Sequence, residues 1–520
     1  MKYFKNDVKR RDSTESKMNL KNLSKKCLTT YHESDKISKL SAACPMAMEI
    51  DEAVIRVDNH AEIDEVEPIE ISDDEARRVR LYENFYQVNA IDPALYAQHD
   101  VKRGLRNADG TGVLAGMTNI SNVHGYVMSD GEKMPAEGSL RLRGYDLYDL
   151  LGDLDPTRRF AFEEVAYLLL MGELPTQERL NRFVEVIDSQ RELPDGFTAS
   201  TLMVDTSPDL MNMMARSILR LYAADESAED RSPEHEIHTA LSLISRLPRI
   251  MVLAYYAKQA AFNHESMIMH RFVPGQSTAE TILSMLRPDR SFTPEEARML
   301  DIMLCLHAEH GGGNNSSFTT HVLSSADTDP YSTYAAAFGS LKGHRHGGAN
   351  HQVRAMQAEI KENVKNWEDD DEVASYLAKI VNKQAYDGTG LVYGMGHAVY
   401  TLSDPRAVIG KRFAEQLAAG TEYEAELNLL KSIERLTPEV FAREKGSTKE
   451  LCANVDMYSG FIYSMMGIPE DLFTPLFACA RMAGWAAHRF EEIAAGKRII
   501  RPAYKNTIRG TKPYIPIERR

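Results

Sequence analysis

Residues 342–350 read KGHRHGGAN, with His344 and His346 on either side of Arg345 and a glycine pair directly after them. Glycine permits positive φ and close approach of the backbone to a ligand, so this stretch has the makings of a site. A second histidine pair, His307 and His310 in HAEHGGGNN, closes a helical pattern. HxxH lacks the third ligand and general base that HExxH supplies to zinc, whereas a helix C-terminus favours an imidazolium, so His310 is expected to face an anion. In GLVYGMGHAVYTLSDPRA, Gly394 and Gly396 lead into His397, and Arg406 follows behind a proline. Asp456 in ANVDMYSG precedes an apolar segment, where Asp is a routine N-cap; as a catalyst it would be a carboxylate base, and geometry must choose. Phe477, Arg481, Trp485 and His488 share one helical face; a guanidinium does not shed its charge, so Arg481 needs a partner there, and a bound carboxylate would serve. Arg501 lies in KRIIRPAYK near the end of the chain. Histidines in glycine-rich loops, one aspartate and several arginines imply proton transfer beside a carbonyl, on a small molecule with more than one carboxylate.

These residues need a scaffold, and the chain is long enough for two or three domains at 520 residues. A net charge of −15 argues against an extended nucleic-acid footprint. The five cysteines are scattered without CxxC spacing, there is no run of about eighteen apolar residues, and no apolar secretory segment opens the chain, which together predict a cytoplasmic protein that neither spans nor binds a membrane. Residues 1–75, Lys/Ser/Asn-rich and then acidic, predict a disordered extension. Helical patterns follow. TQERLNRFVEVI gives an apolar stripe of Leu180, Phe183, Val184 and Ile187. FTPEEARMLDIMLCLHAEH opens with a capping box of Thr293 and Glu296 around Pro294, and its helix is expected to run to Gly311. Thr474 and Pro475 open another through FACARMAGWAAHRFEEI. Strand-like alternation is rare, and the predicted class is all-α. The chain has no nucleophile elbow, no Walker A motif and no GxGxxG opening a βαβ unit.

GLRNADGTGVLAGMTNISNVHGY, EGSLRLRGYDLYDLL, HAEHGGGNN, KGHRHGGAN, GMGHAVYTLSDPRA, NVDMYSG, GIPEDLFTPLFACARMAGWAAHR and RIIRP together resemble the citrate synthase family, in the family's order and over residues 76–512. The resemblance implies an all-α homodimer subunit with a large helical domain (76–348 and 461–512), a small one (349–460), a tail over 513–520 and the active site in the cleft. It implies condensation of acetyl-CoA with oxaloacetate and hydrolysis of citryl-CoA. Asp456 would be the base, His346 the hydrogen-bond partner of the thioester oxygen, and His397 the group that polarises the ketone. His310, Arg406 and Arg481 would bind oxaloacetate, with Arg501 reaching in from the partner subunit and Lys449 contacting CoA phosphate. Thr401 stands where some members carry an arginine for CoA, and His344 where the family has a proline. No metal or cofactor is implied, CoA being a substrate. The alternatives are a 2-methylcitrate synthase using propionyl-CoA, a catalytically silent binding protein, and a metal-binding helical protein built on His307, His310, His344 and His346.

Overall fold

The computed structural model describes residues 73–130, 132–151, 159–447, 450–496, 498–508 and 510–520. The expected N-terminal extension therefore lies outside the described residues except for its last three, which open a helix over Asp73–Asn89. Every candidate site residue of the described chain belongs to one unit, Tyr96–Arg520.

That unit is helical, as predicted, apart from one small antiparallel sheet: β1 (Ser121–Ser129), β2 (Glu132–Leu142) and β3 (Tyr145–Asp146), in the order β1-β2-β3. Helical periodicity elsewhere hid these strands, yet they carry a signal. Ser129 pairs with Glu132 across the turn between β1 and β2, where Asp130 takes φ +51°. Asp-Gly is a favoured pair for such a turn. The hairpin backs the segment 399–405: a Cβ at Gly125 would sit 2.6 Å from Tyr400 Cα, and one at Gly138 2.1 Å from the Ser403 carbonyl oxygen. Only glycine lets the two backbones approach this closely.

The helices that frame the site are α1 (Gln177–Ser189), α2 (Pro233–Phe262), α3 (Pro294–Ala308), α4 (Asn315–Ser325), α5 (Pro330–Lys342), α6 (Ala349–Asn363), α7 (Asp370–Val381), α8 (Pro405–Ala418), α9 (Glu424–Lys445), α10 (Asp456–Met465) and α11 (Phe473–Ala495). The stripe on α1 buries Phe183 and Ile187, and the capping box of Thr293 and Glu296 opens α3. α11 runs through the core against α2, α3 and α4. Its small residues make this possible: at Gly484 a Cβ would lie 2.4 Å from the Ala308 carbonyl oxygen. Trp485 is fully buried there and packs edge-on to Phe338, so truncating it to alanine would cost roughly 3–5 kcal/mol. α6 to α10 pack chiefly on one another.

Two helix ends differ from expectation. α3 stops at Ala308 because Glu309 is extended (φ −153°, ψ 147°), which places His310 in the following loop rather than on the last turn. α11 starts at Phe473, and Thr474 is not its cap; its hydroxyl donates instead to the Gly347 carbonyl at 3.0 Å, tying the helix start to the KGHRHGGAN turn.

Candidate active site

The turn after α5 folds back on itself: the His346 N–H donates to the Gly343 carbonyl at 2.8 Å, and the Gly347 N–H to the Leu341 carbonyl at 2.8 Å. Gly347 and Gly348 do not take positive φ here. They are needed because a Cβ at Gly347 would meet the Leu341 carbonyl oxygen at 2.5 Å and one at Gly348 the His344 Cα at 2.9 Å. The turn leaves His344 exposed and turns His346 inward, with Nε2 3.1 Å from Ser316 Oγ. That hydroxyl also accepts from Trp485 Nε1 at 3.1 Å and lies 2.9 Å from Asn314 Oδ1. Burial, with Arg481 nearby, pushes the imidazole of His346 down to about 4, so it is neutral at pH 7.

His397 and Asp456 are brought together by a short ladder. The Gly396 N–H donates to the Cys452 carbonyl at 2.7 Å and the Asn454 N–H to the Gly394 carbonyl at 2.8 Å. Gly394 and Gly396 take φ +85° and +86°. His397 Nδ1 accepts two backbone N–H groups, from Val399 at 3.0 Å and Tyr400 at 3.1 Å. The ring proton therefore sits on Nε2, which becomes a donor for a ligand. Burial and the Arg406 charge lower His397 to about 4. Asp456 is the first residue of α10 but does not cap it; its own N–H donates to Asn454 Oδ1 at 3.0 Å, and among the described residues none donates to its carboxylate. Burial raises that carboxyl to about 6, against the pull of Arg406. Such a group is ionised at neutral pH yet more basic than an ordinary carboxylate, which suits proton abstraction.

The cations surround this pair. Arg406 is buried and holds Asp404 in a bidentate pair, Nε to Oδ1 at 3.0 Å and Nη2 to Oδ2 at 2.6 Å, which leaves Nη1 for a ligand. Arg481 is fully buried; Nε donates to the His307 carbonyl at 2.6 Å, and Nη1 and Nη2 have no partner. Burial lowers it to about 10. His310 packs edge-on to His397, with ring centroids 5.1 Å apart, and its Nε2 is 3.2 Å from the Tyr400 hydroxyl. The expected imidazolium is not what forms: burial and the Arg406 charge hold His310 well below its ordinary range, so it is neutral.

The structure thus assembles His310, His346, His397, Arg406, Arg481 and Asp456. Arg501 lies exposed in the segment 498–508. Lys449 lies outside the described residues. Thr401 is tied into the hairpin, its hydroxyl between the Gly125 and Ala136 carbonyls. The positions that sequence reasoning missed are Ser316, Asp404, Tyr400 and Asn454, which orient the others; Asp404 alone carried a signal, as an acid two residues before Arg406. Neutral histidines, a raised carboxyl and unpaired guanidinium nitrogens can bind a polycarboxylate, polarise a carbonyl and remove a proton.

The family description "Citrate synthase, C-terminal domain" matches residues 107–503. A citrate synthase of Acidithiobacillus ferridurans is 33% identical over 417 residues, covering 79% of this chain and 97% of its own length. A 2-methylcitrate synthase of Corynebacterium glutamicum is 30% identical over 427 residues, covering 81% and 98%. The solved citrate synthase of Thermoplasma acidophilum, a ternary complex with carboxymethyl coenzyme A and oxaloacetate, superposes with a TM-score of 0.65 at 25% identity, covering 80% of this chain and 99% of its own.

Proposed function

The chain belongs to the citrate synthase family, and on that premise we propose that it condenses acetyl-CoA with oxaloacetate and hydrolyses citryl-CoA to citrate and CoA. The observation that carries this reading is Arg481, a buried guanidinium whose two Nη atoms lack a partner until an anion arrives. Oxaloacetate's carboxylates meet those atoms, Arg406 Nη1 and His310. Its ketone accepts from His397 Nε2–H. Asp456 takes a proton from the acetyl methyl, and His346 donates to the thioester oxygen as the enol forms.

For His346 to donate through Nδ1–H its Nε2 must accept, so the Ser316 hydroxyl, which donates to Asn314 Oδ1 in the empty protein, turns to donate to Nε2 in the reacting state. The enol carbon attacks the polarised ketone. The new alkoxide takes the Nε2 proton of His397, and two backbone N–H groups stabilise the ring. Water then cleaves the thioester. No cofactor takes part.

In this reading the enzyme is a homodimer in which Arg501 of the partner subunit completes each oxaloacetate site, the site lies between the large and small domains, and Lys449 meets a CoA phosphate. A reducing, cytoplasmic compartment is supported by Cys305, Cys452 and Cys479, which are buried and form no disulfide among the described residues. A second reading, 2-methylcitrate synthesis from propionyl-CoA, is favoured by the relative of that activity. One added methyl changes discrimination by only about 1–3 kcal/mol. Paired thiol-release assays with each acyl-CoA, with the product identified by mass, test the proposal: acetyl-CoA is expected to give the higher kcat/KM, propionyl-CoA preference would shift the assignment to the second reading, and turnover of neither would overturn both.

A further inference from the structure

Beside the loop that carries His310, two histidines and a glutamate converge. His321 belongs to α4, and His488 and Glu491 are one turn apart on α11. His321 Nε2, His488 Nδ1 and a carboxylate oxygen of Glu491 all lie within 4.8 Å of one another. The two nitrogens are 3.2 Å apart, and His488 Nδ1 is 3.8 Å from Glu491 Oε2. A tetrahedral zinc with bonds of about 2.0 Å holds its ligand atoms roughly 3.3 Å apart, so this triangle needs little adjustment.

The surroundings are those of a metal centre as well. The non-ligating nitrogen of each histidine is held by a carboxylate: His488 Nε2 by Glu309 Oε1 at 2.9 Å and His321 Nδ1 by Glu492 Oε2 at 2.8 Å. Such carboxylate contacts fix the ring orientation of metal-bound histidines and raise their basicity. Glu491 Oε1 accepts the Asn119 N–H, which aims Oε2 inward, where it is buried and has no hydrogen-bond partner. At Gly312 a Cβ would lie 3.4 Å from His321 Nε2 and 3.6 Å from His488 Nδ1. A glycine there keeps open the side on which a fourth ligand, such as water, would sit.

We propose that His321, His488 and Glu491 bind one divalent metal ion of the zinc type, apart from the reacting groups. A proton shared between the two imidazoles would explain their separation but would leave Glu491 Oε2 with only the 3.8 Å ion pair to His488 Nδ1 and no hydrogen bond; a cation ligates all three atoms. The ion replaces that proton, which leaves to solvent. Because Glu309 and Gly312 flank His310, the bound ion pins the loop that presents His310. The ligand set is distinct from His307, His310, His344 and His346, the histidines that the sequence offered for metal.

The test uses the full chain after chelator treatment, titrated with Zn²⁺ by calorimetry and with Co²⁺ by visible absorption, with a thermal melt in each state. One equivalent per chain, release of one proton and a raised melting midpoint are expected. Glu491→Gln, which keeps size and hydrogen bonding, and His321→Ala should both abolish that equivalent, while replacing the exposed His344 and His351 by alanine should leave it intact. If His321→Ala does not fold, Glu491→Gln decides alone. Absence of saturable binding in the wild type, or an equivalent that survives Glu491→Gln, overturns the site. None of these readouts depends on turnover.

Discussion

Replacing Arg481 by methionine should separate stability from binding. In the ligand-free protein the guanidinium is fully buried with two unpaired nitrogens, and its pKa falls from 12.5 to about 10. A depressed pKa in a cationic group means that the folded state disfavours the charged form at every pH below about 10; at about 1.4 kcal/mol per unit, the buried charge costs the fold roughly 3 kcal/mol at pH 7. Methionine removes that cost. It also removes the Nε bond to the His307 carbonyl, and an orphaned buried carbonyl costs about 1–3 kcal/mol. The net change in unfolding free energy is therefore expected between zero and about 2 kcal/mol of stabilisation. Binding moves the other way, since losing the partner of a desolvated carboxylate costs roughly 2–5 kcal/mol, or about 30- to 5,000-fold in Kd for oxaloacetate. Urea unfolding with and without oxaloacetate, together with calorimetric titration, measures both. A Kd within threefold of wild type, or a loss of more than about 3 kcal/mol in the empty protein, would refute the reasoning.

Asp456→Asn should lower kcat by about 10²- to 10⁴-fold with oxaloacetate binding retained; because the folded carboxyl is raised to about 6, the same variant should be more stable than wild type at pH 8 and less so at pH 5, by parallel melts. In the wild type, kcat/KM should fall as pH drops through about 6 and lose about tenfold by pH 5, since His346 and His397, held near 4, stay neutral over that range; a flat profile would remove Asp456 as the base. His346→Ala should abolish most condensation, whereas His344→Pro should be tolerated, because the preceding Gly343 already has φ −55° and ψ 135°, the region a residue before proline prefers; greater damage from His344→Ala than from His346→Ala would reverse the roles. Mixed subunits of Asp456→Asn and Arg501→Ala should regain partial thiol-release activity, one site of each heterodimer being intact; no recovery after verified subunit exchange would show that each site is built within one chain.

The helical class, the capping box at Thr293 and the convergence of His310, His346, His397, Arg406, Arg481 and Asp456 were legible because glycine spacing, caps and an arginine in an apolar stripe are local signals. The ionisation of His310 was not. It depends on burial and on Arg406, ninety-six positions away in sequence, and a macrodipole argument weighs only the near end of one helix. The tautomer of His397 was hidden as well, since two backbone N–H groups decide it. Ser316 carries no signature of its own; its role follows from its place in the first turn of α4, against Trp485 of α11 and the His346 turn. The hairpin was legible in principle through Asp130-Gly131, but two strands in a helical chain leave little periodicity to notice.

The two ladder bonds, Gly396 N–H to Cys452 and Asn454 N–H to Gly394, also give the site a clock. Any motion that parts His397 from Asp456 has to break them first, and an amide proton exchanges with solvent only while its bond is open. The exchange lifetimes of the Gly396 and Asn454 amides therefore measure how often the catalytic pair comes apart, in the empty protein and without a single turnover.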